Sequence, residues 1–150
     1  MKIQFKKLEA MRPFLGRIIF TTESLDYLTK GGRLVKTATM ITSKLNLRPI
    51  IIMKGGEIGV GGFFRTRKKA KAKVIELLCK HFQESGLNIN DYDITVGYCT
   101  NPEEASEYRK EVEEAISTKL LESGVEFKTR ISVVTSCHTG PTALWGCTYA

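Results

Sequence analysis

Leu47-Arg-Pro-Ile-Ile-Ile-Met-Lys-Gly-Gly-Glu-Ile58 is the stretch on which the fold turns. Pro49 to Met53 is short and continuously apolar, the pattern of a buried strand. Lys54-Gly-Gly-Glu57 has the composition of a hairpin turn, and Ile58 to Phe64 reads as a glycine-rich strand pairing back. The period then changes. Between Lys68 and Phe82, Ala70, Val74, Leu77, Leu78 and Phe82 recur at helical intervals and form one apolar stripe, with the lysines turned away.

Upstream, Arg17 to Thr22 reads as a strand. Thr22 or Ser24 then caps a short helix, Leu25 to Lys30, which Gly31-Gly32 ends. Leu34 to Leu47 places Leu34, Ala38, Ile41 and Leu45 at helical spacing, and Pro49 forces that helix to end before it. Ile3, Phe5, Leu8, Met11 and Phe14 suggest a helix that Pro13 stops. Downstream, Tyr92 to Cys99 is a strand. Asn101-Pro-Glu-Glu104 starts a helix with an Asn cap, a first-position Pro and acids in the first turn. Ala105, Tyr108, Val112, Ala115, Ile116 and Leu120 form its inner face, and Gly124 stops it. Val125 to Phe127 and Arg130 to Thr135 are strand material, Ser136 to Thr142 a loop of small residues, and Ala143 to Tyr149 a last strand. Interleaved helices and strands predict an α/β fold, a mixed β-sheet covered by helices. At 150 residues, one domain spanning 1–150 is expected.

The 42% hydrophobic and 26% charged composition is that of an ordinary globular protein, which excludes disorder, collagen and coiled coil. No apolar run approaches the ~18 residues of a transmembrane helix, and the start, Met1 to Met11, lacks a signal-peptide apolar core. A cytoplasmic protein is expected. Cys79, Cys99, Cys137 and Cys147 form no CxxC pair, so they read as free, mostly buried thiols.

The net charge of +7 has one concentrated source, six cations between Arg65 and Lys73. Such a run either grips phosphates or is a solvated helix face. No aromatic residues interleave it, which argues against nucleic acid. Leu28-Thr-Lys-Gly-Gly-Arg33 is a second candidate. A sharp glycine turn followed by a new helix brings Arg33 and backbone N–H groups toward one anion, unless it is a plain helix–turn–helix with a solvated Arg. A third is Ser136-Cys-His-Thr-Gly-Pro-Thr142, where His138 follows an apolar strand. Strand ends are where α/β sheets hold ligands, but a histidine packed in a turn would leave the same trace. His81, beside an apolar stripe, reads as structural. No nucleophile has an assembled base, and no His/Cys/Asp cluster has metal-ligand spacing, so neither catalytic residues, metal nor cofactor are expected.

Taken together, these stretches resemble a known family. Leu25-Asp-Tyr-Leu-Thr-Lys-Gly-Gly-Arg-Leu34 is similar to its LxYLxKGGRI segment, and Leu47 to Ile58 to its strand–turn segment. Arg65-Thr-Arg-Lys-Lys-Ala70 is similar to RxRKKA, and His138-Thr-Gly-Pro141 to the HxGPG loop. The resemblance is to the C-terminal lobe of the DegV family, which includes the fatty-acid-carrying subunits of bacterial fatty acid kinase. It implies a long-chain fatty acid held between two lobes. The acyl carboxylate would lie on Arg33 and His138, with Thr139 and Gly140 nearby, and on groups of an N-terminal lobe. It also implies a separate kinase catalytic subunit for the ATP chemistry, so this chain would carry the substrate rather than act as an enzyme. Residues 1–14 would stand in for the connecting helix. Thr142 stands where the family has glycine, and Trp145 replaces another.

Two other functions fit the residues. A lobe with its interlobe face uncovered would be an interaction or regulatory module, seeking a separate N-terminal lobe or a second copy of itself. The basic helix would serve an anionic partner, nucleic acid among them, and such binding would fall steeply with salt.

Overall fold

The computed structural model describes residues 17–32, 46–54, 57–85, 93–116 and 137–149. Five strands are present: β1 (Arg17–Thr21), β2 (Arg48–Lys54), β3 (Glu57–Phe64), β4 (Asp93–Tyr98) and β5 (Leu144–Tyr149). Three helices accompany them: α1 (Asp26–Lys30), α2 (Arg67–Ser85) and α3 (Pro102–Ile116). The strands form one sheet in the order β3-β2-β1-β5-β4.

The expected α/β layering is present. The four ladders between the described strands all run antiparallel, so a mixture of strand directions is not found among them. Interleaved helices permit parallel neighbours but do not require them. Here β1 pairs with β2 and β5, which lie far from each other in the chain, and the direction of such pairs is a tertiary choice.

The β2–β3 hairpin follows the sequence closely, with Met53 opposite Ile58 and Ile51 opposite Val60. A bulge at Ile50/Ile51 absorbs one residue of the glycine run. Alternation along the strands divides the apolar residues between two faces. On one face, Ile19, Ile50, Val96 and Leu144 pack under α2 and α3, against Ala70, Val74, Leu78, Phe82, Tyr108 and Val112. On the other, Phe20 and Ile51 pack against Leu25, Leu28, Cys99 and Ala143. Ile18, Met53 and Ile58 are only partly covered there, and Val60 and Phe63 are exposed.

Several local expectations need correction. The helix expected from Lys68 to Phe82 runs from Arg67 to Ser85. Cys99 lies just past β4 rather than in it. Ser24 Oγ accepts the Asp26 N–H at 3.0 Å, while Thr22 turns toward the C-terminal segment. The lysines of α2 do not all face away. Lys71 is buried, pairs with Glu111 of α3 at 3.0 Å and lies over the Tyr108 ring. Among the cysteines, Cys99 is buried and Cys79 half-buried, but Cys137 is exposed. The expected helix over 1–14, residues 34–45 of the one expected over 34–47, and the strands over 125–127 and 130–135 lie outside the described residues; Asn46 is in a turn with φ +49, so no helix reaches Leu47. No helix among the described residues is long and apolar enough to cross a membrane.

Candidate functional site

The helix α1 ends as its sequence requires. The Gly31 N–H donates to Tyr27 O at 2.9 Å and the Gly32 N–H to Thr29 O at 3.0 Å. Gly32 has φ +68, in the left-handed region open to glycine at no steric cost. Beside this turn lies His138. A methyl group on Gly31 would come within 2.6 Å of His138 Nδ1, so the half-buried imidazole rests directly on the Gly31 α-carbon.

The backbone at Cys137–Thr139 is helical, where a loop was expected. The sharp turn follows at Gly140, with φ +86. Any side chain there would also meet the Tyr27 ring, 2.7 Å from a built Cβ. Tyr27 itself is 42% exposed, so the ring against Gly140 is open to solvent on its outer side. Thr139 and Gly140 are both buried.

The segment after His138 is held by side chains from three other elements. Thr22 Oγ1, at the end of β1, donates to Thr139 O at 3.2 Å. Thr100 Oγ1, after β4, donates to Pro141 O at 2.8 Å. Arg67, opening α2, donates through Nη2 to Thr142 O at 2.7 Å. The same guanidinium forks onto Glu104, with Nε and Nη2 at 2.5 and 2.8 Å from its two oxygens. That hydrogen bond holds the Glu104 carboxyl below its ordinary range, against the opposing effect of burial. Asn101 Oδ1 caps α3 by accepting the Glu104 N–H at 2.9 Å, as its position in the sequence implied.

A cleft of about 340 Å³ lies against this segment, bounded by Arg67, Tyr98, Thr100, Glu104, Pro141 and Thr142 among others. His138 is not among its walls. Arg33 lies outside the described residues. His81, read as structural, is 3% exposed within α2, and burial, with Arg17 second, lowers its pKa. Among the described residues no group of three or more His, Cys, Asp or Glu side chains is arranged to hold a metal.

Sequence reasoning did not find the parts played by Thr22, Thr100 and Arg67. Short hydroxyl side chains next to strand ends are too common to single out. In the sequence Arg67 is one cation of a basic run, whereas in the fold it faces inward and bonds two neighbours.

Comparisons with known proteins agree with this architecture. The model of a family described as uncharacterised proteins, DegV family, matches residues 4–149. A stearic acid-binding protein from Eubacterium ventriosum is 39% identical, with a TM-score of 0.78 over 99% of this chain and 49% of its own. DegV from Bacillus subtilis, a fatty acid binding protein, is 29% identical with a TM-score of 0.69 over 99% of this chain and 49% of its own. A DegV domain-containing protein of Caldanaerobacter subterraneus is 31% identical over 127 residues, 85% of this chain and 42% of that protein. The chain therefore spans less than half the length of the curated relatives it matches, 24%, 41% and 42% in three of them. With a match over nearly its whole length and a fold shared with solved members, the chain belongs to the DegV family.

Proposed function

We propose that this chain is one lobe of a DegV-type fatty-acid carrier, in which His138 and Arg33 hold the acyl carboxylate. The observation that carries the reading is the contact between His138 and Gly31, which joins two motifs far apart in sequence. Arg33 follows Gly31 by two residues, and two residues of chain span at most about 7 Å. The Arg33 guanidinium is proposed to reach the same carboxylate as the imidazole. A forked guanidinium and an imidazole N–H are complementary donors for one carboxylate. Thr139 and Gly140 contribute by shaping the turn.

The acyl chain needs an apolar wall, which supplies roughly 0.8 kcal/mol per buried CH₂. The sheet face beneath α1, the helix that ends at Gly31, leaves Ile18, Met53 and Ile58 partly covered and Val60 and Phe63 exposed. Relatives crystallised as stearic acid-binding and fatty acid binding proteins support this ligand class. They are about twice as long as this chain, so a second lobe, or a second copy of this one, is proposed to close the site. On this reading the bound acid is handed to a separate kinase subunit that supplies the ATP chemistry.

The test is native mass spectrometry of the purified chain, alone and with an N-terminal lobe of a relative supplied in trans, followed by stearate titration of wild type, Arg33→Ala and His138→Ala. Copurified or titratable fatty acid, weakened by both substitutions, is expected. Equal affinity in all three proteins would end the carboxylate assignment.

A further inference from the structure

The turn behind His138 contains a line of hydroxyl groups whose direction can be worked out. Thr22 Oγ1 donates its single proton to Thr139 O at 3.2 Å. It also lies 3.2 Å from Thr142 Oγ1. With its proton already committed, Thr22 can only accept there, so the Thr142 hydroxyl is the donor. Thr142 Oγ1 in turn accepts the Glu23 N–H at 3.1 Å. The polarity is thus fixed from end to end: Glu23 N–H to Thr142, Thr142 O–H to Thr22, Thr22 O–H to the carbonyl of the residue directly after His138. Hydrogen bonds aligned in this way polarise and strengthen one another.

Each carbonyl of the same turn has a donor. The Thr139, Gly140, Pro141 and Thr142 carbonyls accept, in order, from Thr22, the Ala143 N–H, Thr100 and Arg67. Thr142 is held twice, at its hydroxyl from β1 and at its carbonyl from α2. A valine at this position has nearly the same shape, but it would leave the Glu23 N–H without its acceptor and Thr22 without its donor. A serine would keep both.

We propose that Thr142 is a positioning residue: its hydroxyl line to Thr22 and Thr139 fixes the turn that places the His138 imidazole against Gly31. This rests on the reading of His138 as a carboxylate-binding group.

The chain has two histidines, so the imidazole Cε1–H signals of His138 and His81 can be assigned with one variant each. In Thr142→Val the His138 signal is expected to move or broaden while that of buried His81 stays in place, and Thr142→Ser is expected to restore it. Thr22→Val, which cuts the same line at its middle, should reproduce the effect. With stearate and octadecanol as paired probes, Thr142→Val is expected to weaken the acid about fivefold, the worth of one ordinary hydrogen bond, and leave the alcohol unchanged. An unmoved His138 signal in both valine variants, a serine variant that behaves like valine, or equal losses for acid and alcohol would overturn the proposal. An unaltered stearate affinity in His138→Ala would instead overturn the carboxylate reading, while the apo signals still judge the positioning role.

Discussion

The imidazole of His138 lies on the α-carbon of Gly31, so close that a methyl group there would meet Nδ1 at 2.6 Å. Gly31 itself has φ −75 and ψ 0, a conformation open to other residues, so the glycine is required by its neighbour and not by its own backbone.

Gly31→Ala should therefore act through His138. The ring can swing aside, so thermal stability should fall by only about 1 kcal/mol, the low end of overpacking costs. Stearate affinity should fall by about tenfold or more, as for a lost charge-assisted contact. In a His138→Ala background, Gly31→Ala should cost little further. The double-mutant cycle, read by titration calorimetry, checks this, and additive losses would contradict it.

Arg67 is held by two partners, and its removal leaves the Glu104 carboxylate and the Thr142 carbonyl unmatched. Arg67→Ala should destabilise by about 1.5–3 kcal/mol, and Arg67→Lys should recover only part because an ammonium lacks the fork. By contrast, Lys68 and Lys69 are exposed, and alanine at either should change stability by less than about 0.5 kcal/mol. Urea denaturation of these variants separates the two cases.

Glu104 also predicts an acid limb. Its folded pKa is depressed below the ordinary value of 4.5, chiefly by the Arg67 hydrogen bond. The unfolded chain then binds more protons than the folded one over that interval. The contribution is complete above 4.5 and is lost as pH falls through the folded value. Glu104→Gln should flatten this part of the stability profile, measured by urea unfolding from neutral pH downward.

His81 acts at a higher pH. Burial opposes its protonation, and the folded pKa lies below 6.5. Stability should be complete above 6.5 and decline as pH falls from there toward the folded pKa, because the unfolded chain takes up the proton first. His81→Gln should remove this decline while leaving the Glu104 limb intact. A profile between pH 5 and 7 unchanged by the substitution would be the contrary result.

Val60 and Phe63 project from β3 on the sheet face that carries α1. Val60→Ser with Phe63→Ser should reduce self-association or binding of an N-terminal lobe supplied in trans. Light scattering and sedimentation should show a smaller species than the wild type at equal concentration.

The sequence alone determined the local elements whose signals are local. The β2–β3 hairpin follows from an apolar run and two adjacent glycines, α2 and α3 from a 3.6-residue stripe, and the α3 start from Asn101 and Pro102. Four short motifs also carried the family, because each needs a particular residue at a particular turn. What only the tertiary structure decided is which distant pieces meet. That Gly31 receives the His138 ring, that Arg67 faces inward to Glu104 while Lys68 and Lys69 face water, and that β1 lies between β2 and β5 all depend on contacts between residues far apart in the chain. No periodicity encodes such contacts. They are selected by burying both faces of one sheet together and by finding a partner for each carbonyl of the turn after His138, and those conditions exist only once the chain has folded.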